Sequence, residues 1–381
     1  MAMTSVPKPV ACEWISTGRE FFTWLLRSIN EARVSIRLEV YILTPDAIGR
    51  AVASALTLAA LRGVEVHVLL DGLGSSAIPP DFWDDLTRAG GQVRLFNASE
   101  FRRLPIRNHR KLVVVDDRVA GVGGFNIAEE YSGDGVEQGW ADVGLAITGE
   151  AVPALARDFD RMWVLSAEGP RWRNLLGRGG RVLPKSIAPD VQLLASGPGP
   201  FAGSLQRTLR EDWRSARDIL LVVAYFLPGR GIRRWLRGAA ARGARVRIVV
   251  PGRSDVPIAR RAARHLYTRF LRSRIEILEY QPQILHAKLY LTEHSVFVGS
   301  SNLDTRSLHI NHEVMLRVTQ SDVVRRGWRL AEDLVARSRA VDLESWVKTR
   351  TLGDRLKDQF SCWILSRFDP WATRWIARDP R

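Results

Sequence analysis

A histidine and a lysine two residues apart, each pair leading into an apolar run, occur twice in this chain. The first copy runs Asn108-His109-Arg110-Lys111 through Leu112-Val113-Val114-Val115 to Asp116 and is followed by Gly123-Gly124-Phe125-Asn126. The second runs His286-Ala287-Lys288 through Leu289-Tyr290-Leu291-Thr292 to Glu293 and is followed by Gly299-Ser300-Ser301-Asn302. A step of two is the period of a strand, so each His and Lys should project from one face at the start of a strand. Imidazole serves as nucleophile, base or acid near neutral pH, and lysine adds a cation with three donors and no acceptor. Such a pair suits an anionic, phosphate-like group. Of the 56 Lys plus Arg only six are Lys (8, 111, 185, 288, 348 and 357), and two of the six fall in the repeat. A compact ammonium and a planar guanidinium fork are not interchangeable at a tight site. One copy alone reads equally well as solvated edge-strand residues; the recurrence with matching Gly and Asn argues for a site.

The elements that must position these groups follow from hydrophobic spacing. Residues 14–30 read as a helix, 34–42 as a strand, 48–62 as an Ala/Leu-rich helix ended by Gly63, 64–70 as a strand, 81–89 as a short helix and 92–96 as a strand. The motif strand, 109–115, turns at Asp116-Asp117-Arg118 into a partner at 119–123, and 142–147 is a further strand. The order then repeats as 205–216, 219–226, 231–242, 246–250, 258–271, 274–278, 286–291, 296–299 and 313–318. The offset between copies drifts from 182 at Val64 and Val246 to 177 at His109 and His286 and 171 at Asp142 and Glu313, as differing loop lengths would give. The fold class is therefore α/β, with two homologous domains, each a mixed, largely parallel sheet flanked by helices. The expected divisions are 1–165 for the first domain, 166–190 for a basic Gly/Arg linker, 191–340 for the second domain and 341–381 for a basic, Trp-rich tail.

A length of 381 residues with 46% hydrophobic and 25% charged residues fits two globular domains and excludes a disordered chain. A net charge of +15 implies an anionic partner, either nucleic acid or an anionic membrane surface. Cys12 and Cys362 lie near opposite ends and form neither a disulfide framework nor a metal-ligand spacing, which fits a reducing, cytoplasmic setting. Residues 1–9 lack an apolar core of signal-peptide length, and the longest apolar run, 219–228, is too short to span a bilayer, so membrane contact should be peripheral. The tail carries Phe360, Trp363, Ile364, Phe368, Trp371 and Trp375 at roughly helical spacing among Arg355, Lys357, Arg367 and Arg374, with Pro370 expected to break the helix. Two readings stand for it: a segment at the interface of an anionic bilayer, or a helix packed on the second domain.

The doubled His-x-Lys-x4-acid followed by Gly-Gly-x-Asn or Gly-Ser-Ser-Asn resembles the phospholipase D superfamily, in which two such motifs form one site; the resemblance implies a pseudo-twofold axis between the two domains. Ala224-Tyr225-Phe226-Leu227-Pro228, Leu266-Tyr267 and Val298 to Asp304 followed by Ser307-Leu308 look like its bacterial cardiolipin synthase branch, in the shorter form without N-terminal transmembrane helices. The resemblance covers the chain apart from the tail. One departure is Glu293, where the family usually has Asp; the acid of each motif, Asp116 or Glu293, is expected to anchor loops.

The resemblance implies transfer of a phosphatidyl group between two phosphatidylglycerols, releasing glycerol, through a covalent phosphatidyl-histidine. His109 would be the nucleophile and His286 the acid/base, with Lys111, Lys288, Asn126 and Asn302 holding the phosphate oxygens and Asp142 and Glu313 orienting the histidines. No metal and no cofactor are expected. The expected partners are phosphatidylglycerol and the membrane surface, with no nucleic acid, and the expected place is the cytoplasmic side of the inner membrane. A hydrolase of phospholipase D type and a phosphodiesterase or nuclease of the same superfamily remain the alternatives.

Overall fold

In the computed structural model the described residues are 9–97, 106–167, 184–198 and 203–378, with side chains through 366. The first half runs β1 (Ala11–Ile15), α1 (Gly18–Glu31), β2 (Ser35–Val40), α2 (Ala47–Leu61), β3 (Glu65–Asp71), α3 (Asp84–Arg88), β4 (Gln92–Phe96), β5 (Leu112–Val115), β6 (Val119–Gly123), β7 (Gly144–Thr148) and α4 (Val152–Ala167). The second runs β8 (Lys185–Ala188), β9 (Val191–Ser196), α5 (Ser204–Trp213), β10 (Asp218–Val223), β11 (Phe226–Leu227), α6 (Arg230–Ala241), β12 (Arg245–Pro251), α7 (Pro257–Leu271) and β13 (Glu276–Tyr280). It continues with β14 (Lys288–Thr292), β15 (Val296–Gly299), β16 (Leu303–Asp304), α8 (Thr305–His309), β17 (Glu313–Val318), α9 (Ser321–Ala336) and β18 (Ser338–Ala340). Two further helices, α10 (Leu343–Thr349) and α11 (Leu352–Arg378), follow.

The first sheet has the order β1-β7-β6-β5-β2-β3-β4, and the second contains the matching order β17-β15-β14-β10-β12-β13. The mixed α/β class and the doubled domain hold, but the sheets are not largely parallel. Within the two large sheets β2-β3-β4 and β10-β12-β13 pair in parallel, and β11 and β16 form a separate two-stranded parallel sheet. The motif strands belong to β5-β6-β7 and β14-β15-β17, which pair antiparallel throughout. The physical reason is connection length: the three residues Asp116-Asp117-Arg118 can only reverse the chain, whereas a parallel pair needs a crossover helix. Asp116 and Asp117 both take left-handed φ, +54° and +51°, which fits the twist of a tight hairpin turn.

The opening helix also starts later than its hydrophobic spacing suggests. Trp14 lies in β1, paired with Leu145 of β7, and α1 begins only after Thr17, whose hydroxyl accepts from Glu20 N at 3.1 Å. Glu20 in turn accepts from Ser16 N at 2.8 Å, and such reciprocal capping sets a helix start more firmly than apolar periodicity does. Within the expected linker, Lys185–Ala188 is an edge strand paired with β9; the Gly- and Arg-rich residues 171–181 lie outside the described residues. Pro370 does not break the tail, since α11 continues to Arg378.

Alternation along the strands divides the apolar residues. Val113 and Val115 face one cluster with α1 and α2, and Tyr290 and Phe297 face another with α5 to α7. Leu112, Val114, Leu289 and Leu291 face a third cluster that both sheets share, closed by residues of α4 and α9. The shared cluster fixes the two sheets face to face, and the His-x-Lys motifs lie where it ends.

Candidate active site at the junction of the two sheets

Neither motif histidine lies within a regular strand. β5 starts at Leu112 and β14 at Lys288, and the residues just before them cross between the halves. His109 N donates to His312 O at 2.9 Å, and His312 N donates to Arg107 O at 2.9 Å. In the counterpart, His286 N donates to Ala141 O at 2.8 Å, and Ala141 N donates to Ile284 O at 2.8 Å. Each backbone bridge thus holds a histidine of one half beside the residue that precedes an acid of the other.

The acids complete the exchange. His109 Nδ1 lies 3.0 Å from Glu313 Oε2, and His286 Nδ1 lies 2.6 Å from Asp142 Oδ2. An Nδ1–H donated to a carboxylate leaves Nε2 as the reactive nitrogen and stabilises an imidazolium. Neither motif histidine meets a carboxylate of its own half, so each of these pairs is built from both halves.

The two lysines wrap back on their own motifs. Lys111 Nζ donates to His109 O at 2.8 Å, and Lys288 Nζ bonds His286 O and lies 3.0 Å from the ring's Nε2. Burial holds the lysine pKa values down, Lys111 at about 7 and Lys288 at about 8. Burial and the lysine charges also push both imidazoles down, His286 to about 4 and His109 well below its ordinary value. Burial acts against Asp142 as a carboxylate, but His286 and Lys288 outweigh it and leave its pKa below the usual range. Glu313 goes the other way, to about 8: burial dominates over Lys111, and its Oε1 is buried without a hydrogen-bond partner. Charged Lys111 favours the carboxylate of Glu313 against that burial.

The two halves differ in detail. Gly124 is required because a Cβ there would fall 2.1 Å from Asp142 Oδ1. Its counterpart Ser300 instead donates its hydroxyl to Glu313 Oε2. Asn126 accepts from Ile42 N at 3.2 Å and donates through Nδ2 to Tyr131 Oη at 2.7 Å, while Asn302 accepts from Tyr225 N at 3.2 Å. Each asparagine therefore uses its carbonyl to hold the backbone after β2 or β10, leaving amide hydrogens as donors.

The motif acids stand away from the histidines. Asp116 accepts from Arg33 N, Val34 N and Ser35 N, the nearest at 2.7 Å. Glu293 accepts from Arg217 N at 2.9 Å and Asp218 N at 3.3 Å. The extra methylene of Glu293 reaches the equivalent backbone, at the start of β10, with one donor fewer.

Tyr131 is a site residue that the motifs did not reveal. Its hydroxyl lies 3.4 Å from His286 Nε2, giving a chain from Asn126 through Tyr131 and His286 to Asp142. The hydroxyl can donate to a neutral Nε2 or accept from a protonated one. Tyr41 packs beside His109 at 4.9 Å between ring centroids. A signal existed: Tyr131 lies five residues after Asn126, as Ser307 lies five after Asn302, and the repeat alignment sets them side by side.

The sequence profile described as "Cardiolipin synthase, PLD-like domain" matches residues 25–163 and 209–334. Cardiolipin synthase 1 of Bacillus cereus is 31% identical over 359 residues, a match covering 91% of this chain and 70% of that protein. Cardiolipin synthase A of Pseudomonas putida strain W619 is 33% identical over 320 residues, covering 80% of this chain and 64% of that one. The crystal structure of phosphatidylserine synthase from Haemophilus influenzae Rd KW20 shares the fold with a TM-score of 0.76 at 14% identity, covering 95% of this chain and 94% of that chain. Polyphosphate kinase from Porphyromonas gingivalis, with a TM-score of 0.56 at 17% identity, matches 88% of this chain and 49% of its own.

Proposed function

The chain belongs to the phospholipase D-like family of cardiolipin synthases, and on that premise we propose that it joins two phosphatidylglycerols into cardiolipin, releasing glycerol. The observation that carries the reading is the exchange of carboxylates: two histidines, each oriented through Nδ1 by the opposite half, converge with two buried lysines. In the first step Nε2 of His109 attacks phosphorus, the bond from phosphorus to the glycerol oxygen breaks, and His286 gives that oxygen a proton. In the second, His286 takes the proton from a hydroxyl of the incoming phosphatidylglycerol, whose oxygen displaces His109 from phosphorus. Lys111 and Lys288 face the charge that builds on the phosphoryl oxygens, with the amide hydrogens of Asn126 and Asn302 as further donors. Asp116 and Glu293 act as anchors for the loops that carry β2 and β10. Assigning His109 as nucleophile is supported by the asymmetry at Tyr131, whose hydroxyl engages Nε2 of His286.

Among the described residues no helix is long and apolar enough to cross a membrane. The proposed mode of contact is peripheral, on the cytoplasmic leaflet, through the net charge of +15 and the tail. In α11 the polar side faces the protein: Asp358 and Ser361 are buried, whereas Leu352, Leu356, Phe360 and Trp363 are exposed. An apolar row turned outward suits insertion among acyl chains.

The test is to incubate purified protein with vesicles of phosphatidylglycerol and measure lipid and water-soluble products. Cardiolipin and glycerol in equal amounts are expected. Phosphatidate without cardiolipin would establish a hydrolase, and nicking of plasmid DNA without lipid turnover a nuclease.

A further inference from the structure

A second cluster of cations lies outside the two-histidine site, where the tail packs on α7. Arg253, Arg260, Arg261, Arg264, Arg350 and Lys357 line a cavity of about 400 Å³ together with only two acids, Asp354 and Asp358. Both acids are already engaged. Asp358 pairs with Arg350, and Asp354 accepts from Thr351 N at 3.1 Å and Thr351 Oγ1 at 2.8 Å at the start of α11.

The cations are less well matched. Arg264 reaches Glu279 at 3.3 Å, and Arg350 lies over the Trp346 ring at 4.6 Å. Arg260 has no hydrogen-bond or ion-pair partner among the described residues. The Nε–H groups of Arg260, Arg264 and Arg350 are all buried without an acceptor. Six cations around one cavity, with both of its acids already engaged, call for a ligand with several acceptor oxygens. The cavity also borders the N-terminus of α7, a 15-residue helix with no acid in its first turn and no side-chain cap, whose dipole adds to the positive field.

We propose that this cavity is a second anion site, separate from the histidine pair, that binds a phosphate group. A tetrahedral anion offers acceptors on several sides and cancels part of a net charge of +4 among the lining residues. The loop before α7 links the cavity to the catalytic cleft. It carries Asp255, whose carboxylate accepts from Tyr225 Oη at 2.5 Å, and Tyr225 N is held by Asn302. The loop has support of its own, since Arg253 donates to Gln281 O and Pro282 O, so phosphate in the cavity leaves turnover of a phosphodiester in the cleft unchanged. Free phosphate and a lipid headgroup present the same chemistry.

The test uses the full chain, with Arg260→Gln and Arg261→Gln made singly, and Arg325→Gln on α9 as an equal change of charge elsewhere. Inorganic phosphate is added in thermal melts, sedimentation is measured with phosphatidylcholine vesicles with and without phosphatidic acid, and turnover is followed with a short soluble phosphodiester. The expected result is at least a fivefold loss of apparent affinity in Arg260→Gln and a smaller loss in Arg261→Gln, with soluble turnover unchanged and Arg325→Gln like wild type. Loss of phosphate's stabilisation identifies free phosphate as the ligand; loss of sedimentation with phosphatidic acid alone identifies a lipid headgroup. The proposal is overturned if neither probe separates Arg260→Gln from wild type, if Arg325→Gln falls equally, or if soluble turnover drops in step with binding.

Discussion

At the scale of single residues, the proposed transfer divides one reaction between two histidines, each facing a carboxylate of the opposite half. His109→Ala and His286→Ala should each lower transfer from phosphatidylglycerol more than about a hundredfold, the usual size of an acid/base or nucleophile loss, and the double variant should be little worse than either. A p-nitrophenyl leaving group needs no acid. With such a diester, His286→Ala should still accumulate the phosphoenzyme in a rapid quench while His109→Ala should not; the reverse pattern would exchange the two roles. The lysines predict the pH profile. Because burial lowers Lys111 to about 7 and Lys288 to about 8, their charges are present below those values and lost above them. kcat/KM, which reports the free enzyme, should therefore fall as pH rises through 7 to 8. The limb in kcat should lie higher, because a bound anion favours the ammonium form; profiles flat to pH 9.5 would remove the lysines from charge stabilisation.

At the scale of elements, turns and junctions hold the chemistry. Gly124→Ala would place a methyl 2.1 Å from the Asp142 carboxylate and push it off His286. The expected outcome is a loss approaching that of His286→Ala with the unfolding transition intact, read by paired turnover and urea melts. Behind the first motif, Arg110 is buried between Glu39, at 3.0 Å, and Asp158, at 2.6 Å, and Asn108 donates to Glu39 at 2.9 Å. Glu39→Ala would leave part of a buried cation unmatched, at a cost of about 3–5 kcal/mol. A loss of unfolding free energy in urea melts well below that would mean the loop carrying His109 can relax.

At the scale of the whole molecule, the tail packs on the second domain, and contact with a bilayer is the proposal that its outward face supports. Its described part packs on α7 through Trp346, which bonds Thr268 at 3.2 Å, and it turns an apolar row outward. Replacing Leu352, Leu356, Phe360 and Trp363 together by serine should weaken sedimentation with anionic vesicles at least tenfold while turnover of a soluble diester persists. Unchanged sedimentation would move membrane contact elsewhere on the surface. Added salt should weaken binding of both forms, since the charge contribution is screened.

The motif spacing, the repeat and the charge were legible in the sequence because they are local or additive. His109, Lys111, His286 and Lys288 stood out by type and interval, and a 3.6 or 2.0 period marked most of the elements around them. The same local signals misplaced Trp14 in a helix and ran the motif strands back to the histidines, because apolar periodicity does not register a capping residue or a backbone bridge to a distant segment. Which carboxylate serves which histidine could not be read from order along the chain. Asp142 and His286 are 144 residues apart, and only the face-to-face packing of two sheets through one shared apolar cluster brings each acid to the other half's imidazole. The arginine cavity has the same origin: its residues lie far apart in sequence, and packing alone decides which of them meet.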